Sequence, residues 1–405
     1  GLFDVFRRVM GKRRAVFGVV LAGVQPAFLL FASRPYYHNI LFLDFLIFAL
    51  ASLFRAVAKN DLRWYGLSGF FVGLALSVRT SEALWVLPIL LLTAIVPKWR
   101  SWKGVFVAGA FLLLAMLPVF WANTAVFGVP WRTAYTLSVD EGSGQLSDIT
   151  ARLVLPFGTH PVAAMQAVNR YILGLMPWIG LPLLFGILVA VRTIRRLSSF
   201  FRWYTIAYLC MSGWLILYYG SWQLAEYNDP TLVFLSSSYI RYWLPIFVFG
   251  TPFIVLGIEH IHAQFMAGKF AFLRTTLLLG LITVLSVNLA YADPLHGLIA
   301  VRSRVQQYKA TSDAITDIVR PADTIIAGFH DKVFFPDRSV VVNLPENATQ
   351  RRVVLHQLWQ RGRLYLFQGV IDEPAIQSGA LLRAEGHVLT SVKTVDEGTL
   401  YRVEP

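Results

Sequence analysis

Ionisable side chains interrupt otherwise apolar stretches at a few places, and these residues are the ones that could do chemistry. Asp44 lies within the apolar segment 40–57, about one and a half helical turns after the polar pair His38 and Asn39. A carboxylate inside an apolar segment is costly unless it is paired or faces a wet cavity. Asp44 is therefore a candidate functional residue, and the alternative is an aspartate near an interface that snorkels or bonds a neighbouring helix.

A second polar group, Arg79-Thr80-Ser81-Glu82, separates two short apolar segments and predicts a tight bend. Arg79 offers a planar fork of donors, and the start of the following helix adds amide groups with a positive dipole. This combination suits a phosphate. The alternative is an ion pair between Arg79 and Glu82 that closes the turn, and the sequence leaves both interpretations open.

A third polar group precedes a late apolar segment, in the run 236–243 (SSSYIRYW). Aromatic residues such as Tyr239 and Tyr242 often form an anchoring belt at a membrane interface. Arg241 among hydroxyl groups additionally makes an anion site plausible. We therefore treat Tyr239, Arg241 and Tyr242 as candidate substrate-binding residues, together with His38, Asn39, Arg79 and Glu82.

Two further polar regions could wall the same site. The segment 123–170 is longer than a simple connector needs, and the segment 222–229 holds two more carboxylates. Their candidate side chains are Asp140, Glu141, Asp148, His160, Glu226 and Asp229. Solvated loop charge is an equal alternative for the carboxylates of the first region.

The elements that position these residues are membrane-spanning helices. Hydrophobic residues make up 56% of the 405 residues and charged residues 15%, which is more apolar than a soluble domain. Nine apolar segments are long enough, or nearly so, to cross a bilayer. They run over 15–33, 40–57, 64–78, 83–97, 104–123, 171–191, 203–220, 243–260 and 275–292.

The basic residues set the predicted topology, because Lys and Arg collect in cytoplasmic loops. With the N-terminus inside, the inner loops carry 17 basic and three acidic residues, whereas the outer loops carry six of each. The net charge of +13 thus belongs to the inner face, and it gives no support to a nucleic-acid partner. The five polar regions all fall on the outer side, which predicts one composite site there.

Three regions follow from this reading: a cytoplasmic segment 1–14, a multi-span domain 15–292 with the outer loop 123–170, and a soluble extracytoplasmic domain 293–405. The last region alternates short apolar or β-branched runs with helical stretches, which predicts a small α/β domain whose final pieces, 388–395 and 399–403, form a hairpin. His330, Asp331 and Asp337 could face a ligand there, but a solvated loop is the favoured interpretation.

Three runs resemble the membrane core of the GT-C glycosyltransferases, of the protein O-mannosyltransferase and lipid A aminoarabinose transferase type. They are 35–54 (PYYHNILFLDFLIFALASLF), 66–87 (GLSGFFVGLALSVRTSEALWVL) and 238–245 (SYIRYWLP). The resemblance covers roughly residues 15–292 in order and topology. It implies a polytopic α-helical membrane enzyme that passes a sugar from a polyprenyl phosphate to a lipid, glycan or protein acceptor on the non-cytoplasmic face.

Residue by residue, the resemblance implies that Arg79 or Arg241 binds the lipid phosphate. Asp44 falls where the family places a second acid, sometimes linked to a metal, so the cofactor stays unknown with a divalent ion at Asp44 as the candidate. The family's principal acid lies in an outer loop that would precede Gly1. We therefore expect an N-terminally incomplete chain that lacks this acid.

The implied reaction is an inverting transfer in a multi-pass protein of a bacterial inner membrane, with membrane lipids around it. Two functions from other classes stay open. A transporter or flippase of a lipid-linked anion would place polar groups near the membrane midplane and repeat its halves, and no internal repeat is found. A noncatalytic membrane assembly protein would bind no polyprenyl lipid.

Overall fold

The computed structural model describes residues 1–34, 37–95, 101–132, 155–222, 232–265, 271–369 and 372–405. The chain divides into two compact units, Gly1–Leu298 and Ile299–Pro405. The first unit is helical, and the second contains a five-stranded sheet. Each unit is built around apolar cores of its own.

Within the residues that the structure describes, the first unit consists mainly of helices. Its helices are α1 (Leu2–Met10), α2 (Lys12–Val24), α3 (Pro26–Ala32), α4 (His38–Lys59), α5 (Leu62–Val78), α6 (Ala83–Ile95), α7 (Trp102–Phe127), α8 (Pro161–Val168), α9 (Pro177–Arg192), α10 (Ser199–Gly220), α11 (Ser238–Tyr242), α12 (Leu244–Phe265) and α13 (Ala271–Ala292).

Several of these helices are suited to lipid. Within the described residues, three helices are long and apolar enough to cross a membrane, or up to five if each bent pair counts as one span. Helix α7 shows the lipid-facing character most clearly, since Phe106 and Trp121 each expose 76% of their surface. Large exposed apolar surface of this kind is typical of a bilayer environment. The protein is thus a multi-pass membrane protein, while the count of nine spans stays a prediction.

Two predicted spans are broken rather than continuous. The segment 15–33 is divided between α2 and α3, which meet at Gln25 with a bend of 59°. Pro26 begins α3 and has no amide hydrogen to continue the ladder of α2. The segment 171–191 starts in a π-helical turn, Asn169–Gly174, and turns by 114° before α9. Each bent pair, taken together, is still long and apolar enough to cross a membrane, and the sequence did not indicate either break.

Helices α5 and α7 approach closely because a glycine lies at their crossing. A Cβ atom added at Gly69 would lie 1.9 Å from the carbonyl oxygen of Ala108. Only a hydrogen fits in that space, so the backbones can pack at short range. Helices α9 and α12 meet in the same way, with Gly186 facing the carbonyl of Phe253. The first of these contacts fixes α5, which ends directly before Arg79.

Polar contacts mark two opposite ends of the helical unit. At one end the contacts join Arg34 Nη2 to the His296 carbonyl (2.7 Å), Asn39 Nδ2 to the Arg241 carbonyl (3.3 Å) and Arg79 Nη2 to the Tyr219 hydroxyl (2.8 Å). At the other end they join Arg55 to Asp4 (2.7 Å) and Arg14 to Glu259 (2.9 Å). We call the first the Arg79 end; it gathers the candidate site residues, as the alternating loops predict.

The second unit is a small α/β domain. Its helices are α14 (Leu298–Thr316), α15 (Asp331–Phe334), α16 (Ala348–Arg361) and α17 (Glu373–Ala384), and its strands are β1 (Thr324–Ile326), β2 (Ser339–Val341), β3 (Leu364–Gly369), β4 (Val388–Val395) and β5 (Gly398–Glu404). The sheet order is β2-β1-β3-β5-β4; β1 is parallel to β2 and β3, and β4 and β5 form the predicted antiparallel hairpin. The small α/β domain expected from the sequence is present.

Candidate functional site

The bend between α5 and α6 is a 3₁₀ turn, Thr80–Glu82, closed by an ion pair. Arg79 Nη2 lies 2.7 Å from Glu82 Oε1, and the two side chains are only 8% and 4% exposed. Tyr219, near the end of α10, connects them: its hydroxyl donates to Glu82 Oε1 at 2.6 Å and accepts from Arg79 Nη2 at 2.8 Å. Trp85 Nε1 donates to the other oxygen of Glu82. Glu82 therefore holds Arg79 in place.

Arg241 lies on α11 and is less fully bonded than Arg79. Its Nη2 donates to Ser238 Oγ at 3.1 Å and to the Tyr242 hydroxyl at 3.2 Å. Its Nε is buried and has no hydrogen-bond partner among the residues that the structure describes. Buried donors in folded proteins are normally satisfied, so an open one in a polar cluster indicates a place for a ligand acceptor.

One aromatic ring joins the two arginines. The guanidinium carbon of Arg79 lies 4.6 Å from the centre of the Tyr242 ring, and that of Arg241 lies 4.9 Å from it. Tyr219 stacks on Tyr242 with a centroid distance of 4.4 Å and nearly parallel planes. Cation–π contacts hold a guanidinium without neutralising its charge. Glu82 balances Arg79, whereas no salt bridge in the described part of the chain balances Arg241.

The start of α4 completes the cluster. Asn39 is buried, and its Nδ2 donates to the Arg241 carbonyl at 3.3 Å, while its Oδ1 has no partner among the described residues. His38 precedes it and lies within electrostatic range of Arg79, Arg241 and Glu82. Donors, a free acceptor and excess positive charge at one site fit an anion with a hydroxyl-bearing group attached.

Tyr239 has a different position from its neighbours. Its hydroxyl donates to the Trp222 carbonyl, and its ring stacks on Tyr171 at 5.1 Å. The side chain is buried. These contacts fasten α11 to the rest of the unit, so Tyr239 supports the orientation of Arg241.

Asp44 lies apart from the arginines. Phe42 faces them, since its ring contacts Trp85 at 6.1 Å and lies 5.9 Å from the Arg79 guanidinium. Asp44 follows two residues later, about 200° around α4, on the stripe that carries the exposed residues Leu41 and Phe48. It is half-buried, and no hydrogen bond or ion pair reaches it from the described residues. The structure thus does not bring Asp44 and the arginines together.

The structure describes only part of the two further polar regions, 123–170 and 222–229. Asp140, Glu141, Asp148, Glu226 and Asp229 lie outside the described residues. His160 is exposed at the start of α8, and its backbone amide donates to Ser221 Oγ at 2.9 Å. This contact ties α8 to the end of α10, close in sequence to Tyr219.

An apolar cleft lies beside the arginine cluster. It has a cavity volume of about 80 Å³ and lies between α4, α5, α6, α10 and α12. Its lining is formed entirely by apolar and aromatic residues: Leu46, Ala49, Leu50, Leu53, Val72, Trp85, Val86, Ile89, Leu90, Trp203, Tyr204, Ala207, Tyr208, Met211 and Phe249. Trp85 belongs to both sites, because its ring lines the cleft while its Nε1 bonds Glu82.

Sequence reasoning missed two members of the cluster. Tyr219 and Trp85 lie within apolar segments, where aromatic residues are ordinary. Trp85 follows Glu82 by three residues, a spacing that places two side chains on one helical face and could have suggested the contact. Tyr219 is 137 residues from Glu82, and nothing in the local sequence indicates that pairing.

A metal ion does not fit the described residues well. No three His, Cys, Asp or Glu side chains cluster in the described part of the chain. Asp44 alone supplies two oxygens, whereas Mg²⁺ and Ca²⁺ take six or more ligands, many of which can be water or substrate. We therefore derive no step through a metal ion.

Comparison with known protein families finds a match for the first part of the chain. The family model for dolichyl-phosphate-mannose-protein mannosyltransferase matches residues 1–122. The match includes Asp44, Arg79 and Glu82 and ends before Arg241. No curated protein matches the chain.

Proposed function

We propose that this chain catalyses a GT-C glycosyl transfer, and the match of residues 1–122 to the dolichyl-phosphate-mannose-protein mannosyltransferase family model supports this reaction. The protein transfers a sugar from a polyprenyl-phosphate donor to a lipid, glycan or protein acceptor on the non-cytoplasmic face of its membrane. The Arg79 end is that face in our proposal, which places the second unit outside the cytoplasm.

The observation that carries this proposal is the Arg241 guanidinium, whose Nε has no hydrogen-bond partner among the described residues. A sugar phosphodiester has one negative charge and two free oxygens, and it needs cationic donors of which at least one is not already neutralised. Arg241 has a buried Nε without a partner in the described chain, and it shares the Tyr242 ring with Arg79. The two arginines would therefore bind the phosphate from neighbouring positions.

The apolar cleft supports a lipid-linked donor. Trp85 is the residue at which the polar network and the cleft meet. A phosphate at the arginines would leave its isoprenoid chain next to that wall. Burying each methylene of the chain contributes about 0.8 kcal/mol, so the cleft adds affinity that a water-soluble sugar phosphate could not gain.

The chemistry follows from the charge that develops on the leaving group. A base removes the proton of the acceptor hydroxyl or amine, the acceptor atom attacks the anomeric carbon, and the bond from that carbon to the phosphate oxygen breaks. The electron pair stays on the polyprenyl phosphate, which gains a negative charge, and direct attack inverts the anomeric centre. Arg79 and Arg241 stabilise this charge as it grows.

Asp44 is our candidate for a residue that contacts the acceptor. Because it lies on a different face of α4 from the side that meets Arg79, it would contact the acceptor rather than the donor phosphate. His38 and Asn39, at the start of the same helix, would contact the sugar between the two. Replacing Asp44 by Asn should therefore reduce transfer while leaving donor binding unchanged.

The experiment compares two arginine variants of the full chain in phosphatidylcholine nanodiscs. Arg241→Ala removes the proposed phosphate donor, whereas Arg195→Ala removes an exposed arginine in the turn after α9. We expect radiolabelled dolichyl-phosphate mannose to bind wild type and Arg195→Ala equally, and Arg241→Ala at least tenfold more weakly. Equal binding by all three proteins contradicts the assignment.

A flippase is the second candidate, and one observation favours it. The break at Gln25 places a buried amide near the middle of a bent span, where Nε2 bonds Thr251 Oγ1 and the Phe247 carbonyl. Transporters commonly bind substrate at such broken helices. A flippase would move the lipid-linked sugar between leaflets without releasing polyprenyl phosphate. Detecting free polyprenyl phosphate after incubation with an acceptor separates the two functions.

A further inference from the structure

The second unit contains a histidine–aspartate pair that the transfer chemistry does not use. His330 Nδ1 lies 2.7 Å from Asp372 Oδ2. Asp372 is fully buried, whereas His330 keeps 15% of its side chain exposed. The sequence favoured a solvated loop around His330, and that prediction was wrong for this residue.

The bonding of Asp372 determines which nitrogen of His330 is available. The other oxygen, Oδ1, accepts from the Phe329 amide at 3.0 Å and from the Ala375 amide at 3.4 Å. A carboxylate only accepts, so Nδ1 of His330 carries the hydrogen that it donates. In the neutral ring Nε2 is then left with a lone pair and can accept a hydrogen bond.

Two glycines are needed to bring this pair together. A Cβ atom added at Gly328 would lie 2.0 Å from Asp372 Oδ1, and one added at Gly369 would lie 2.4 Å from His330 Cε1. Gly328 also has a φ of 52°, a backbone conformation that residues other than glycine rarely adopt. The backbone on both sides of the pair is thus shaped to admit the two side chains.

The pair lies where ligands bind in sheets of this kind. His330 follows the carboxyl end of β1, and Asp372 follows the carboxyl end of β3. These strands are parallel neighbours; the connection after β1 leads to β2 on one side, and the connection after β3 leads to β4 on the other side. Ligands of open α/β sheets bind in the crevice at such a switch point.

An exposed aromatic ring adjoins the pair. Phe329 precedes His330 in the 3₁₀ turn Gly328–His330 and exposes 70% of its surface. Its backbone amide donates to Asp372 Oδ1, so the Phe329 backbone is fixed beside the pair. An exposed apolar face beside a hydrogen-bond acceptor suits the C–H face of a sugar ring with hydroxyl groups at its rim.

From this arrangement we propose that the second unit binds a neutral carbohydrate at the carboxyl edge of β1 and β3. His330 Nε2 accepts a hydrogen bond from a sugar hydroxyl, and Phe329 stacks on the ring. The buried charge of Asp372 disfavours an anionic ligand. The site goes beyond the proposed transfer reaction, because binding here requires neither a lipid donor nor the arginines of the first unit.

Carbohydrate binding by the full chain tests the site directly. We would titrate the protein in phosphatidylcholine nanodiscs, free of sugar-based detergent, with mannotriose, maltotriose and chitotriose by saturation-transfer difference NMR. We expect at least one of the three to bind, and His330→Ala to weaken it about tenfold, the effect of one lost hydrogen bond to a fixed acceptor. Phe329→Ala should weaken it to a similar degree.

Matched variants of the same unit serve as controls. His356→Ala removes an exposed histidine of α16, and Val353→Ala removes an exposed apolar side chain of the same helix; both should bind as wild type does. Unchanged binding in His330→Ala, or no binding of any probe by wild type, overturns the proposal. Since no polyprenyl donor is present, none of these outcomes bears on the proposed transferase.

Discussion

Glu82→Gln is the change whose effect can be worked out most fully from the structure. It keeps the size of the side chain and removes the charge that balances Arg79 at 2.7 Å. The amide nitrogen would also face a donor, either Trp85 Nε1 or the Tyr219 hydroxyl. Both partners of the ion pair are over nine-tenths buried, so the remaining guanidinium cannot be rehydrated without opening the turn.

The expected loss is large because of this burial. Removing one partner of a buried, hydrogen-bonded ion pair destabilises a protein by about 3–5 kcal/mol. Glu259→Gln is the matched control, since Glu259 pairs with Arg14 at 2.9 Å while 37% and 49% of the two side chains are exposed. An exposed pair contributes about 0–1 kcal/mol.

Thermal unfolding of the two variants in the same detergent, followed by intrinsic fluorescence, measures the difference. We expect a clear fall in the midpoint for Glu82→Gln and little change for Glu259→Gln. Donor binding should fall in Glu82→Gln as well, because Arg79 loses its orientation. Equal midpoints for the two variants would refute the idea that Glu82 holds Arg79 in a closed network.

Three further outcomes are expected. Gly69→Ala should destabilise the first unit, because its Cβ would overlap the Ala108 carbonyl, whereas Gly109→Ala on α7 meets no atom within 4 Å and should be neutral or stabilising by up to about 1 kcal/mol; thermal unfolding compares them. The hydrogen bond from Arg351 lowers the pKa of Glu385 below its ordinary value, so the pair stabilises the second unit above that ordinary pKa and the contribution is lost as the pH falls through the lowered value. Hydrogen exchange in α16 should rise over this acid range, and Arg351→Ala should remove the dependence. Asp44→Asn should slow transfer without weakening donor binding, and an unchanged transfer rate would remove Asp44 from the site.

The sequence predicted the helices well because their signal is strong. Long apolar segments and alternating basic loops are averaged over many residues, so each of the nine predicted segments lies on at least one helix. The breaks were harder to anticipate. Pro26 sits within an apolar run, where a proline alone does not indicate a bend of 59°, and the contact between Gln25 and α12 joins residues 222 positions apart.

The site was predicted in part for a related reason. Arg79, Glu82 and Arg241 stand out because charge is rare in apolar segments, and all three do meet at one end of the unit. Tyr219 could not be found, since its role depends on a contact across 137 residues of chain. Asp372 is hidden in the same way, because a single aspartate before a helix usually serves as its cap.

The most direct test of the central claim is whether a lipid phosphate contacts Arg241. A photoreactive polyprenyl-phosphate sugar, bound to the full chain in nanodiscs and irradiated, would be mapped by mass spectrometry. We expect crosslinks to α11 and to the cleft lined by Trp85 and Phe249, and we expect Arg241→Ala to abolish them. Crosslinks confined to other helices, or crosslinks that Arg241→Ala leaves unchanged, would contradict the claim.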